Sequence, residues 1–186
     1  QLEALKLRWR GDDLELEVVQ QLAGIYADKN RWREALMSLR GAAAKHADSS
    51  LGRTLRSDMN EIFERLFLDG EADKLQPVQA LGLFYDFKEL TPLGPNGDRM
   101  VRNLAGRLVA LDLLEQAAAL LQHQVEERLE GVGRAQIAAD LAMIYLRDRK
   151  PEKALAAIEL SRQPNMPTDL LSERRILEAR AYLDLG

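Results

Sequence analysis

The stretch AMIYLRDRKPEKAL, residues 142–155, closes one apolar helical run and opens another within a few residues. Tyr145 stands nine residues ahead of Ala154, with Pro151 marking a turn between them. Proline suits the first turn of a helix, where the N–H it lacks has no intrahelical partner. A catalytic motif, a lone helical hairpin and one unit of a repeating array would all read this way. Recurrence decides among them. Tyr26 precedes Ala35, Phe63 precedes Ala72 and Leu108 precedes Ala117 by the same nine residues, and Tyr182 stands one step further on. The anchors at 26, 63, 108, 145 and 182 are spaced by 37, 45, 37 and 37 residues. The stretch TPLGPNGD at 91–98 supplies the eight extra residues of the long interval. A fixed period in this range marks a helical solenoid.

The residues around each anchor repeat as well. Three positions ahead stand Ala23, Asn60, Ala105, Ala142 and Ala179; four ahead stand Leu22, Met59, Leu104, Leu141 and Glu178. Small residues let helix backbones approach, and the anchor side chain fills the space between hairpins. The pattern resembles the tetratricopeptide repeat (TPR) family, with Leu, a small residue, a Tyr-like aromatic and Ala nine later. It is best developed at Leu22-Ala23-Tyr26-Ala35-Leu39-Ala42 and Leu141-Ala142-Tyr145-Ala154-Ile158. The resemblance implies an all-α fold: a right-handed αα-superhelix of about four to five antiparallel hairpins forming one solenoid over residues 1–186. Its units would lie near 14–50, 51–90, 98–132, 134–167 and a truncated 168–186, with 91–98 an insertion loop. Three features depart from the family. The period is 37 rather than the usual 34 or so. The Trp-like first position holds Val19, Ala138 or Arg175. Pro77 starts a helix near residue 76, which leaves Ala72 in a connection.

Apolar spacing at i, i+3, i+4 and i+7 predicts helices near 1–10, 14–28, 31–46, 51–68, 76–90, 99–110, 113–130, 134–147, 151–163 and 169–185. The breaks carry start and stop chemistry. Asp12–Asp13 precedes one helix, Asn30 and Asp98 read as N-caps, and Asp48-Ser49-Ser50 is a further break. Asp112 with Glu115 has capping-box spacing, and Pro164 and Pro167 bound a loop.

Composition narrows the chemistry. Hydrophobic residues make up 46% and charged residues 30% of 186, which suits a folded chain. The net charge of −4 lacks the basic excess of a protein that grips nucleic-acid phosphates. With no cysteine there is no disulfide, thiolate nucleophile or Cys-based zinc site. The longest apolar run, LAMIYL at 141–146, is far short of the roughly 20 residues a helical membrane span needs. A first residue that is not Met and a last stretch, AYLDLG, that reads as mid-helix suggest a piece of a longer protein.

His46 and His123 fall on different predicted hairpins without a ligand cluster, and no metal or cofactor is expected. DGEAD at 69–73 has its glycine in the wrong place for an EF-hand. GPNGD at 94–98 lacks the lysine of a phosphate loop. Arg31-Trp32-Arg33, Arg147-Asp148-Arg149-Lys150 and Arg174-Arg175 either hold an acidic partner or satisfy helix-end carbonyls and nearby carboxylates. Trp9 and Trp32 read as packing residues or partner contacts.

No constellation calls for catalysis. The family register instead implies a concave face for a protein or peptide partner, with Gln20 and Gly24, Ser57, Glu61 and Arg65, Arg99, Arg102 and Gly106, then Gln136, Ala139, Met143 and Arg147. The Lys/Asn pattern with which chaperone-binding members clamp a terminal carboxylate is absent from these positions. The expected function is a non-catalytic protein–protein interaction scaffold. The alternative is a structural spacer that self-associates through its terminal hairpins. The Ala-, Leu- and Arg-rich repeats resemble long bacterial repeat proteins, several of which serve the cell envelope, which implies the periplasm rather than the cytoplasm.

Overall fold

The computed structural model describes residues 13–186, and every regular element among them is helical. The chain divides into two compact units, 1–91 and 92–186. In the first, α1 (Asp13–Asp28), α2 (Trp32–Lys45) and α3 (Ser50–Phe67) are followed by a 3₁₀ turn (Glu71–Lys74), α4 (Pro77–Asp86) and a second 3₁₀ turn (Lys88–Leu90). The second holds α5 (Pro95–Ala110), α6 (Leu114–Glu127), α7 (Gly131–Arg147), α8 (Pro151–Leu160) and α9 (Thr168–Leu185). The expected helix over 1–10, with Trp9 and Asp12, lies outside the described residues.

Three of the connections share one backbone design. Asn30, Asp112 and Arg149 are left-handed, with φ of 57°, 60° and 55°. The amides after them, of Arg31, Leu113 and Lys150, donate to the carbonyls of Tyr26, Leu108 and Tyr145 at 2.8, 2.9 and 2.8 Å. Their own amides donate to Ala27, Val109 and Leu146 at 2.9, 3.1 and 3.2 Å. This bond pair is a Schellman closure, which satisfies carbonyls left over at a helix end. The next helix follows at once, and Ala35, Ala117 and Ala154 are fully buried where it meets its neighbour. The closure corrects two sequence expectations. Asn30 and Asp112 do not cap the following helices; Arg31 and Leu113 stand at those N-caps, without side-chain cap bonds. Short polar side chains tolerate the left-handed region, so these residues end the preceding helix instead.

The connection after Phe63 differs. There α3 runs on to Phe67, and Gly70, with φ of 85°, ends the path. Ala72 is buried in the 3₁₀ turn, and Pro77 opens α4. The rings of Phe63, Phe67 and Phe84 meet at centroid distances of 4.7, 5.9 and 5.5 Å, filling the space that α3 and α4 share. At the other end of α3, Ser49 Oγ accepts from the Gly52 amide at 3.1 Å. Gly52 lies so close to the His46 carbonyl that a Cβ would overlap it. The predicted helix over 76–90 is two pieces, broken at Phe87, where φ is −131°. Arg40 holds this region against α2: its Nη2 lies 2.6 Å from Glu89 and donates to the Asp86 carbonyl at 2.5 Å, while the guanidinium covers the Phe87 ring at 4.0 Å.

In the second unit the predicted insertion loop is shorter than expected. Gly94 takes φ of 82°, Pro95 opens α5, and Asp98 lies within the first turn rather than at the cap. Proline's fixed φ pre-forms the helix there. α7 packs against α5, α6, α8 and α9, and its face of Ala135, Ala138, Ala139 and Ala142 admits these neighbours closely. Arg174 of α9 is 3% exposed. Its guanidinium donates to the carbonyls of Ile158 at 2.5 Å and Ala135 at 2.8 Å, and to Ser161 Oγ at 2.9 Å. This answers the carbonyls at the C-terminus of α8 and ties three helices together.

Two outcomes follow. Arg149→Gly removes the cost of a left-handed side-chain-bearing residue, roughly 1–2 kcal/mol, against a glycine entropy cost of about 0.5–1 kcal/mol. Urea unfolding should therefore register a gain of about 0.5–1 kcal/mol, and a loss instead would contradict the closure. Arg174→Lys replaces a planar fork by a single ammonium that cannot reach all three acceptors. Stranded buried carbonyls should lower stability by about 1–3 kcal/mol, and an unchanged unfolding midpoint would refute this role.

Candidate binding grooves

Of the concave-face residues expected from sequence, all but Ser57 and Ala139 fall into two grooves, one in each unit. In the second unit a groove of about 740 Å³ runs between α5 and α7. Arg99, Arg102 and Gly106 reach it from α5, and Gln136, Met143 and Arg147 from α7. The steps 99–102–106 and 136–140–143–147 are single-face helical spacings. Ala105, Val109, Leu121 and Ile144 give it an apolar floor. Gly106 has open space where a Cβ would stand. Met143 and Val132 remain 43% and 42% exposed in the groove wall.

Ala139 does not belong to this face. It is fully buried, and Asp140, one residue on, lines the groove in its place. The 136–140–143–147 stripe was readable from sequence and marks Asp140, which the family register passes over. Arg102 Nε lies 2.8 Å from Asp140 Oδ2, an ion pair across the groove. Asp98 enters the groove as well, and a Cβ on Gly133 would stand 3.3 Å from its Oδ2. Burial raises the pKa of both carboxyls above the ordinary 3.8. Arg102 opposes that rise at both; Arg128 adds to the opposition at Asp98, whereas Glu173 reinforces the rise at Asp140. Among the described residues Arg99 and Arg147 have no ion-pair partner.

The groove of the first unit, about 260 Å³, lies between α1 and α3. Gln20, Gly24, Glu61 and Arg65 line it, again with one residue the family register did not supply, Asp58. Two of its polar groups bond each other, and Arg65 is held by residues outside the lining. Gln20 Nε2 donates to Asp58 Oδ2 at 2.5 Å, and Arg65 lies 3.6 Å from Asp28 and covers the Trp32 ring at 5.0 Å. Ser57 is exposed on α3 but does not line the groove, and Trp32 is buried.

The basic turn clusters divide between the two readings. Arg31 pairs with Glu34 at 3.0 Å and stacks 4.6 Å from the Tyr26 ring, and Arg33 pairs with Asp86. Lys150 bridges Asp148 at 2.6 Å and Glu115 at 3.1 Å, and Arg174 serves carbonyls as described. Arg147 alone of these carries its charge into the groove. His46 lies 4.0 Å from Glu15, and among the described residues no three His, Asp or Glu side chains gather as a metal site. Lys74 Nζ lies 2.8 Å from Glu71 in the acidic 69–73 stretch. No helix among the described residues is long and apolar enough to cross a membrane.

Compared with protein-family models, curated proteins and solved structures, the chain has no match.

The raised carboxyl at Asp140 has a measurable sign. The folded form holds this proton more tightly than the unfolded chain, so stability falls as pH rises from 3.8 through the raised value. Asp140→Asn removes that component. The urea midpoint of the variant should fall less than that of the parent over this range; parallel profiles would rule out the assignment.

Proposed function

We propose that this chain is a non-catalytic protein-interaction module, a set of TPR-like hairpins wound as a right-handed αα-superhelix. It holds a peptide or helix of a partner protein along the first helices of its hairpins. The observation that carries the reading is the convergence of Arg99, Arg102, Gly106, Gln136, Met143 and Arg147 on one groove with an apolar floor. Such a groove offers what polypeptide recognition requires: apolar surface for anchoring, free donors for orientation, and a glycine where a backbone can approach. The recurrence of one helix closure after Tyr26, Leu108 and Tyr145 supports the repeat reading.

The spacer reading has its own support in α9. Ile176 and Leu183 are 69% and 81% exposed on a face away from buried Leu170, Leu177 and Ala181. An apolar stripe of this kind favours association with another helix. Light scattering that rises with concentration, and loses that rise in an Ile176→Glu/Leu183→Glu variant, would favour self-association.

A photo-crosslinking residue at Met143 tests the groove reading against one at Met37, an exposed position on α2 that lines neither groove. In lysate of the source organism, Met143 should capture a protein that Met37 does not. Gly106→Trp should reduce that capture by about tenfold, a loss of ~1.4 kcal/mol. Equal capture at both positions, or capture indifferent to Gly106→Trp, would overturn the reading.

A further inference from the structure

The charges of the larger groove run against those of the chain that carries it. The whole chain has a net charge of −4. The groove between α5 and α7 nevertheless presents Arg99, Arg102 and Arg147 against two carboxylates, Asp98 and Asp140. Those carboxylates are already provided for. Asp140 sits against Arg102, and Asp98 lies in the first turn of α5, where the helix amides favour negative charge. The cations left over are Arg99 and Arg147, neither of which has an ion-pair partner among the described residues. The groove is otherwise largely apolar, with Met143 and Val132 on the wall and Val109, Leu121 and Ile144 beneath. The smaller groove of the first unit differs in sign, with Asp58 and Glu61 against Arg65.

We propose that the α5–α7 groove takes an internal acidic segment of a polypeptide, with carboxylate side chains on Arg99 and Arg147 and an apolar side chain between them beside Met143. This rests on the interaction-module reading and names the partner's chemistry. Polypeptide rather than single-stranded nucleic acid is favoured because no aromatic side chain among the described residues lines the groove, and base stacking needs such a platform. An internal segment is favoured over a chain terminus because the free cations are two separated guanidiniums. Gln136 and Arg147 are eleven residues apart on α7. At about 1.5 Å per residue this face is roughly 16 Å long, the reach of about five extended residues. An excess of arginine in the groove also favours acidic segments over basic ones.

The test uses three labelled peptides, each N-acetylated and C-amidated: one alternating Glu-Glu and Leu-Leu pairs, one with Lys for Glu, one with Ser for Leu. Binding to the 186-residue chain is read by fluorescence anisotropy at low and high salt. The Glu–Leu peptide should bind at least about tenfold more tightly than either other peptide and weaken as salt rises. Arg99→Gln and Arg147→Gln should each cost it several-fold in Kd, with circular dichroism unchanged. Equal binding of the Lys–Leu peptide, or indifference to both arginine substitutions, would overturn the acidic-segment inference. The groove reading would survive if Gly106→Trp still abolished binding. Failure of all three peptides would overturn the inference too, while crosslinking at Met143 judges the groove independently.

Discussion

A single backbone hydrogen bond sets the shape of each regular hairpin. The amide of Lys150 reaches back across left-handed Arg149 to the carbonyl of Tyr145, and Arg31 and Leu113 do the same to Tyr26 and Leu108. The bond ends one helix and aims the next within a few residues. It thereby places Ala154, Ala35 and Ala117 in full burial against their neighbours. The side chains that line the α5–α7 groove depend on this geometry, because α5 and α7 are the helices that two of these closures terminate. Side-chain packing then confirms an orientation that the backbone has already chosen.

Seen this way, the aromatic ring at the anchor is secondary. Leu108 takes part in the same closure as Tyr26 and Tyr145, because the carbonyl is what the turn needs. The residue four places later decides more. Asn30, Asp112 and Arg149 accept the left-handed region there. The corresponding residue after Phe63 is Phe67, a bulky aromatic that resists positive φ, and α3 continues through it. The nine-residue spacing thus revealed the hairpins, while the four-residue offset explains the one that departs. That offset was open to inspection in the sequence but is easily misread. Asn and Asp serve both as N-caps and as left-handed terminators, and a local pattern does not say which helix they serve.

The groove shows a similar division. The resemblance grouped Arg99, Arg102, Gly106, Gln136, Met143 and Arg147, and helical spacing keeps those of each helix on one face. Ala139 and Asp140 were confused because adjacent residues lie about 100° apart on a helix, and a family register off by one position crosses from groove to core. Charge partners were beyond reach. Nothing in the sequence pairs Arg102 with Asp140, 38 positions away, or Arg174 with the Ala135 carbonyl, 39 positions away. These contacts arise only once helices from successive hairpins lie side by side.

Arg174 has a consequence for how the second unit comes apart. Its guanidinium is clasped by groups from α7 and by residues at and just beyond the end of α8, so α9 cannot leave without uncovering carbonyls on both sides. Packing in this unit otherwise runs between helices that are close in sequence, which by itself would let α9 loosen one turn at a time. The arginine turns that gradual loosening into a cooperative step. Under tension along the chain, α9 would resist as a unit and then release together with the end of α8.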